Sequence, residues 1–147
     1  MFKTPVICLG ASLLTMFAIP ASASEVGEVS VNPGYWNWSH LTRLAGIEFS
    51  EENTECLPEE NATLSLEDLA ESLDQACALS DVNSTAAGYE FTLTCDGFYS
   101  GVAHGTMTKY SDDSVGMQAT GSVKLAGAEA DFDFNAEATR VGTCPAG

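Results

Sequence analysis

Residues 130–138, with the sequence ADFDFNAEA, decide the fold class of this chain. Apolar and polar residues alternate without exception across the segment. A period of two places the apolar side chains on one face of a β-strand and the largely acidic ones on the other. This alternation is typical of an antiparallel sheet that packs one face on a core and exposes the other to solvent.

The same pattern recurs upstream and predicts a chain made mainly of strands. Glycine- and aspartate-rich dipeptides such as Ala45-Gly46 and Asp96-Gly97 separate the strands and favour tight turns. The last four strands would form a meander. The predicted strands are Tyr35–Leu44, Gly46–Thr54, Tyr89–Cys95, Phe98–Tyr110, Ser114–Leu125 and Ala130–Ala138.

One segment changes period, because leucine and alanine recur at three- and four-residue steps between residues 64 and 77. Ser65 is a good N-cap, with Glu67 and Asp68 in the first turn of the helix. We expect a helix over about 64–77, packed on the sheet. The fold class is therefore mostly β with a minor α+β character, either a curved antiparallel sheet or a small barrel-like meander.

The first 23 residues have the three parts of a secretory signal. Lys3 precedes the apolar stretch Val6–Ile19, and Ala21-Ser22-Ala23 fits a cleavage site, so we expect cleavage after Ala23. The stretch is shorter than the roughly 20 residues of a membrane span. The predicted organisation is a signal peptide over 1–23, a flexible lead-in over 24–33 and a single disulfide-stabilised domain over 34–147.

The mature chain is strongly acidic. Cleavage removes Lys3 and leaves four basic and 21 acidic residues, a net charge of −17 with neutral histidines. A field of this sign repels phosphate groups, so nucleic acid and anionic membrane surfaces are unfavourable partners. A small apolar ligand or a cationic protein remains a candidate partner.

Four cysteines follow the signal segment: Cys56, Cys77, Cys95 and Cys144. An even number in a small exported domain predicts two disulfides, with three pairings open. Their spacings of 21, 18 and 49 residues contain no close pair of the kind that zinc sites use. We therefore expect an oxidising location, periplasmic or secreted.

Several short motifs together resemble those of the domain of unknown function 3617 family. They are Pro33-Gly34-Tyr35-Trp36, TECLPEE over 54–60, GTMTKYSDDS over 105–114 and RVGTC over 140–144. The resemblance covers nearly the whole mature chain and implies a bacterial envelope or periplasmic protein with a signal sequence and no established activity. This chain departs from the pattern in having few methionines in its strands and in being unusually acidic.

The cysteine positions allow a hypothesis about pairing. Cys77 and Cys95 are centred on Ala86, inside the turn-rich stretch Asn83–Gly88, so a hairpin would place their sulfurs across from each other. Cys56 would then pair with Cys144 and connect an early strand to the last one.

No catalytic, metal or cofactor site is predicted. His40 and His104 are the histidines of the chain, and no GxSxG sequence accompanies them. Asp131 and Asp133 resemble the start of a calcium loop, but Ala136 occupies the position where such a loop requires glycine.

An aromatic cluster is the candidate ligand face, because curved sheets often hold an apolar molecule. Its members are Trp36, Trp38, His40, Phe98 and Tyr99. Core packing is the alternative role for these aromatic residues. We expect a module that binds a small ligand or a protein; an enzyme of unrecognised class or a passive structural or stress-related envelope protein are the alternatives.

Overall fold

The computed structural model describes residues 26–73, 76–97 and 99–146. Strands dominate these residues, as the alternating patterns predict. The strands are β1 (Glu28–Ser30), β2 (Gly34–Leu44), β3 (Ile47–Leu57), β4 (Thr63–Ser65), β5 (Cys77–Ser84), β6 (Gly88–Asp96), β7 (Tyr99–Ser111), β8 (Ser114–Leu125) and β9 (Ala128–Gly142); a short 3-10 helix covers Glu59–Asn61 and helix α1 covers Leu66–Leu73.

Seven strands form one antiparallel sheet in the order β3-β2-β9-β8-β7-β6-β5. The last four strands of the chain make the predicted meander. Strand β9 joins the hairpin of β2 and β3 to the meander. It pairs with β8 from Leu125/Ala128 onwards and with β2 over Phe132–Gly142. Since β3 and β5 stay at opposite ends of this order, the sheet of the described residues is open and does not close into a barrel.

Tight turns join the strands where the sequence places turn signals. Ala45 and Gly46 both have positive φ, 52° and 77°, and connect β2 to β3; Ala126 and Gly127 repeat this geometry between β8 and β9. Two successive residues with φ near these values form the turn whose twist matches that of a two-stranded antiparallel ribbon.

The core lies between one face of the sheet and the segments that cover it. Leu66 and Ala70 of α1 pack above Phe91 and Phe134 of the sheet. The opposite face of β9 carries its exposed acidic residues. The helix thus covers the apolar face that the alternation in β9 defines.

Helix α1 is shorter than predicted. The predicted N-cap is confirmed, because the backbone N–H groups of Glu67 and Asp68 donate to Ser65 Oγ at 3.1 and 3.3 Å. Leu64, however, belongs to β4, where it lies opposite Val29 and both side chains are buried. Cys77 begins β5, and residues 74–75 lie outside the described part of the chain.

The predicted flexible lead-in over 24–33 is wrong for part of its length. Strand β1 lies inside it and pairs with β4. Val29 and Val31 are each 7% exposed, so burial of these two valines orders the segment. Residues 24 and 25 lie outside the described ranges.

Two disulfides join the same cysteine pairs that the sequence analysis favours. Cys77 and Cys95 lie directly opposite each other on β5 and β6, with Cα atoms 4.0 Å apart. Cys56, near the end of β3, is bonded to Cys144 just beyond β9, with Cα atoms 5.4 Å apart.

We expect the longer disulfide loop to contribute more to stability. In the chain-entropy account, loops of 88 and 18 residues contribute about 4.5 and about 3 kcal/mol. Replacing Cys56 and Cys144 by serine should therefore lower the free energy of unfolding, measured by urea denaturation, more than the same change at Cys77 and Cys95. The reverse order would contradict this account.

Candidate binding surface

Strand β3 forms a long, regular edge of the seven-stranded sheet. All eleven of its residues pair with β2 without a bulge. Its other side has no neighbouring strand among the described residues. A free edge of this kind presents a row of backbone N–H and C=O groups that another strand can pair with.

The opposite edge, β5, is less suited to accept a strand. Its register with β6 shifts between Ser80 and Asn83, and Asp81 has a positive φ of 51°. Helix α1 also lies against β5. Bulges and covering helices are two ways in which proteins protect sheet edges, so the two edges differ in accessibility.

The side chains of β3 are exposed on both faces, apart from Leu57 at its end. Ile47 and Phe49 lie on the face that continues the core, and they are 60% and 56% exposed. They lie opposite Leu44 and Thr42 of β2. The apolar face of the sheet thus extends to the edge strand β3, where the described helix and strands of the covering layer leave Ile47 and Phe49 exposed.

Strand β3 also has four glutamates, one between these two apolar residues and three after them. Glu51 and Glu55 share the face of Phe49, whereas Glu48 and Glu52 lie on the outer face, because side chains alternate along a strand. All four are exposed. The edge is therefore apolar near the β2–β3 turn and acidic towards the Cys56–Cys144 disulfide.

Basic groups of β2 contact two of these carboxylates. Arg43 Nη2 donates to Glu48 Oε1 at 2.8 Å, and this hydrogen bond, with the attraction of the Glu48 charge, raises the pKa of Arg43. His40 Nε2 lies 3.4 Å from Glu51 Oε2. Within the described residues, Glu52 and Glu55 have no ion-pair partner.

The aromatic residues of the predicted ligand face lie at several places. Trp36 is 0% exposed and donates from Nε1 to the carbonyl oxygen of Asn32 at 3.0 Å. Trp38 packs against the core, and its buried Nε1 has no acceptor in the described part of the chain. His40 continues the same face of β2, with its ring centroid 5.8 Å from that of Phe134.

Tyr99 lies far along the sheet from these three residues. Tyr99 begins β7 opposite Leu125, which itself lies opposite Ala128. Trp36 lies opposite Arg140 at the other end of β9, so the two positions are roughly 40 Å apart along that strand at 3.3 Å per residue. Phe98 lies outside the described residues.

The interior offers little room near the aromatic and aliphatic core. The cavity between α1 and the sheet, lined by residues such as Leu66, Phe91 and Phe134, has a volume of about 10 Å³. A second apolar cavity beside Leu93 and Phe132 has about 20 Å³. Ligand pockets are typically about 300–1,000 Å³.

Three larger depressions, of about 360, 420 and 530 Å³, have both polar and apolar lining residues. One of about 420 Å³ lies on the outer face and includes His104, whose Nδ1 is 3.2 Å from Thr92 Oγ1. Among the described residues, no polar or charged side chain is buried. The same part of the chain contains no cluster of three or more histidine, cysteine or carboxylate residues suited to a metal ion.

Residues 31–144 match the family described as Protein of unknown function (DUF3617). The chain belongs to this family. The matched segment of the DUF3617 domain contains all four disulfide-bonded cysteines and the whole seven-stranded sheet, whereas β1 precedes it. Neither the search of curated proteins nor that of solved structures found a match.

The sequence analysis did not identify β3 as the exposed edge of the DUF3617 domain. The signal was present, because apolar and polar residues stop alternating after Phe49 and glutamates occupy both faces at 51, 52 and 55. A strand that is polar on both faces is typical of a sheet edge.

The two tryptophans of β2 should respond differently to loss of the indole N–H. Trp36→Phe leaves the Asn32 carbonyl without its donor and opens space in the core, so we expect a loss of about 2–3 kcal/mol. Trp38→Phe removes an N–H that has no acceptor, so we expect a loss below about 1 kcal/mol. Urea denaturation of both variants measures the difference, and equal losses would contradict it.

Proposed function

We propose that the mature domain, exported by its N-terminal signal and cleaved after Ala23, binds another polypeptide by accepting it as an additional strand on β3. The accessible, bulge-free edge of β3 carries this proposal. In this mode of recognition, backbone hydrogen bonds supply affinity and alternate side chains supply specificity.

The exposed apolar side chains at this edge support the proposal. Ile47 and Phe49 lie beside the partly buried core rather than as scattered surface residues. An added strand would cover them on one side with its own alternate side chains. Binding would then remove apolar surface from water at the point where the core is open.

The interior supports a protein partner over a small apolar ligand. The two cavities inside the packed core, of about 10 and 20 Å³, are far below the size of a ligand pocket. Trp36, which is 0% exposed, packs in the core. Surface recognition therefore fits the geometry better than enclosure of a ligand.

The disulfides indicate an oxidising environment, in which such bonds persist. No α-helix in the described ranges has the length and apolar composition that a membrane crossing requires. We propose the periplasm or the extracellular medium as the location, since the sequence of residues 1–23 fits an export signal.

Export can be tested on protein expressed from the full-length sequence. We expect its intact mass to correspond to a chain that begins at Ser24 with all four remaining cysteines oxidised. Replacing Ala21 and Ala23 by bulky residues should leave the signal attached, because the cleavage site requires small side chains. A chain that keeps residues 1–23 without these changes, or that has free thiols, would contradict the proposal.

Strand addition can be tested by hydrogen exchange on the mature protein. Peptides selected from a random nine-residue library should slow amide exchange in β3 and leave β5 unchanged. Phe49→Thr should weaken their binding about fivefold or more through loss of apolar contact. The matched control is Val141→Thr, because Val141 is similarly exposed, at 58%, on β9.

Two outcomes would contradict this function. In the first, the selected peptides bind but protect β5 or α1 and not β3. Alternatively, native mass spectrometry of the protein purified from its own host could detect a retained small molecule, which would favour a ligand-binding role.

A further inference from the structure

The two ends of β3 differ in chemistry on the face that continues the core. Ile47 and Phe49 occupy the end near the β2–β3 turn, and Glu51 and Glu55 occupy the end near the disulfide. Asn53 lies between the two glutamates. A strand added to this edge would meet apolar side chains over one half and carboxylates over the other.

We propose that the partner segment is an extended peptide with basic residues at alternate positions opposite the glutamates and aliphatic residues on the same face opposite Ile47 and Phe49. This inference rests on the proposed function, since it specifies the partner of the same edge. Directly opposite side chains on neighbouring strands lie about 4.5–5.5 Å apart, so opposite charges stabilise and like charges destabilise the pair.

The carboxylates of β3 can accept such a partner. Within the described residues, Glu55 and Glu52 have no ion-pair partner, and Glu51 has the partly exposed His40 as its ion-pair partner, at 3.4 Å. The side chain of Glu51 is 72% exposed. Basic residues of an added strand could therefore reach Glu51 and Glu55 without breaking a buried interaction.

A second copy of this chain is a poor occupant of the same edge. Edge-to-edge pairing of two β3 strands would bring the eight glutamates of two copies together. The mature chain also has a net charge of −17, which repels another copy at long range. Acidic residues on edge strands are a known protection against self-pairing, while they attract a cationic segment.

Designed nine-residue peptides give the direct test. The first has lysine at its first and fifth positions, isoleucine at its seventh and ninth, and threonine elsewhere, so that antiparallel pairing places the lysines opposite Glu55 and Glu51. The second has threonine in place of both lysines, and the third has glutamate there. A fourth has the composition of the first, with its lysines and isoleucines exchanged, so that the lysines lie opposite Phe49 and Ile47.

We expect the lysine peptide to bind the mature protein about tenfold more tightly than the threonine peptide, and the glutamate peptide to bind more weakly still. The exchanged peptide should lose this advantage, because its lysines would meet the apolar side chains of Ile47 and Phe49 instead of carboxylates. Calorimetry measures the dissociation constants, and hydrogen exchange locates each peptide. Added salt should reduce the difference between the peptides.

Charge reversal on the protein provides the complementary test. The double variant Glu51→Lys and Glu55→Lys should weaken binding of the lysine peptide about tenfold or more and strengthen that of the glutamate peptide. The matched control is Glu59→Lys with Glu60→Lys, which makes the same change in net charge on the exposed 3-10 helix beyond β3. The control should leave the order of the peptides unchanged.

The outcomes separate this inference from the proposed function. Binding of the threonine peptide at β3 as tightly as the lysine peptide would overturn the inference and leave strand addition standing. Equal effects of the two double variants would also overturn it, since only the overall charge would then matter. Failure of every peptide to protect β3, with the unaltered protein, would overturn both.

Discussion

Pairing of β9 on both of its sides is the interaction on which the rest of the structure depends. One side joins the meander of β6 to β8, and the other holds the hairpin of β2 and β3. Because β9 alternates between apolar and acidic residues, this pairing also decides which face of the whole sheet is buried. A change of register by one residue would turn Phe132 and Phe134 towards solvent.

The strong local patterns of the chain predict its fold class well. Strict alternation in β9 and the turn signal at Ala45-Gly46 give the antiparallel strands and their connections. The limits of α1 were harder to predict, because Leu64 fits the helical period as well as the strand that pairs with β1. That choice depends on Val29, which lies 35 positions earlier, and contacts of this kind leave no local signal.

The positions of the aromatic residues and the openness of the sheet also depend on contacts between distant parts of the chain. Trp36 and Trp38 alternate and so share a face, but the depth at which Trp36 is buried depends on which segments cover the sheet. The separation of Tyr99 from them follows from register across three strand pairs. Whether the sheet closes depends on contact between β3 and β5, and no local pattern specifies it.

The proposed binding edge lies outside the packed interior of this small domain. The meander, α1 and the Cys77–Cys95 bond form a filled interior without buried charge among the described residues. The hairpin of β2 and β3 extends from this interior and exposes its outer strand. Substitutions in β3 can therefore alter the edge while the packing of the meander stays intact.

The Cys56–Cys144 disulfide also has a mechanical consequence. It joins Cys56, in the last residue pairs between β3 and β2, to Cys144 just beyond the end of β9. A pulling force on a chain attached to β3 would pass through this covalent bond into β9. Strand β3 could therefore not peel away from its Cys56 end. Rupture would have to begin at the Ala45-Gly46 turn, and the direction of pull would decide how much force the attachment withstands.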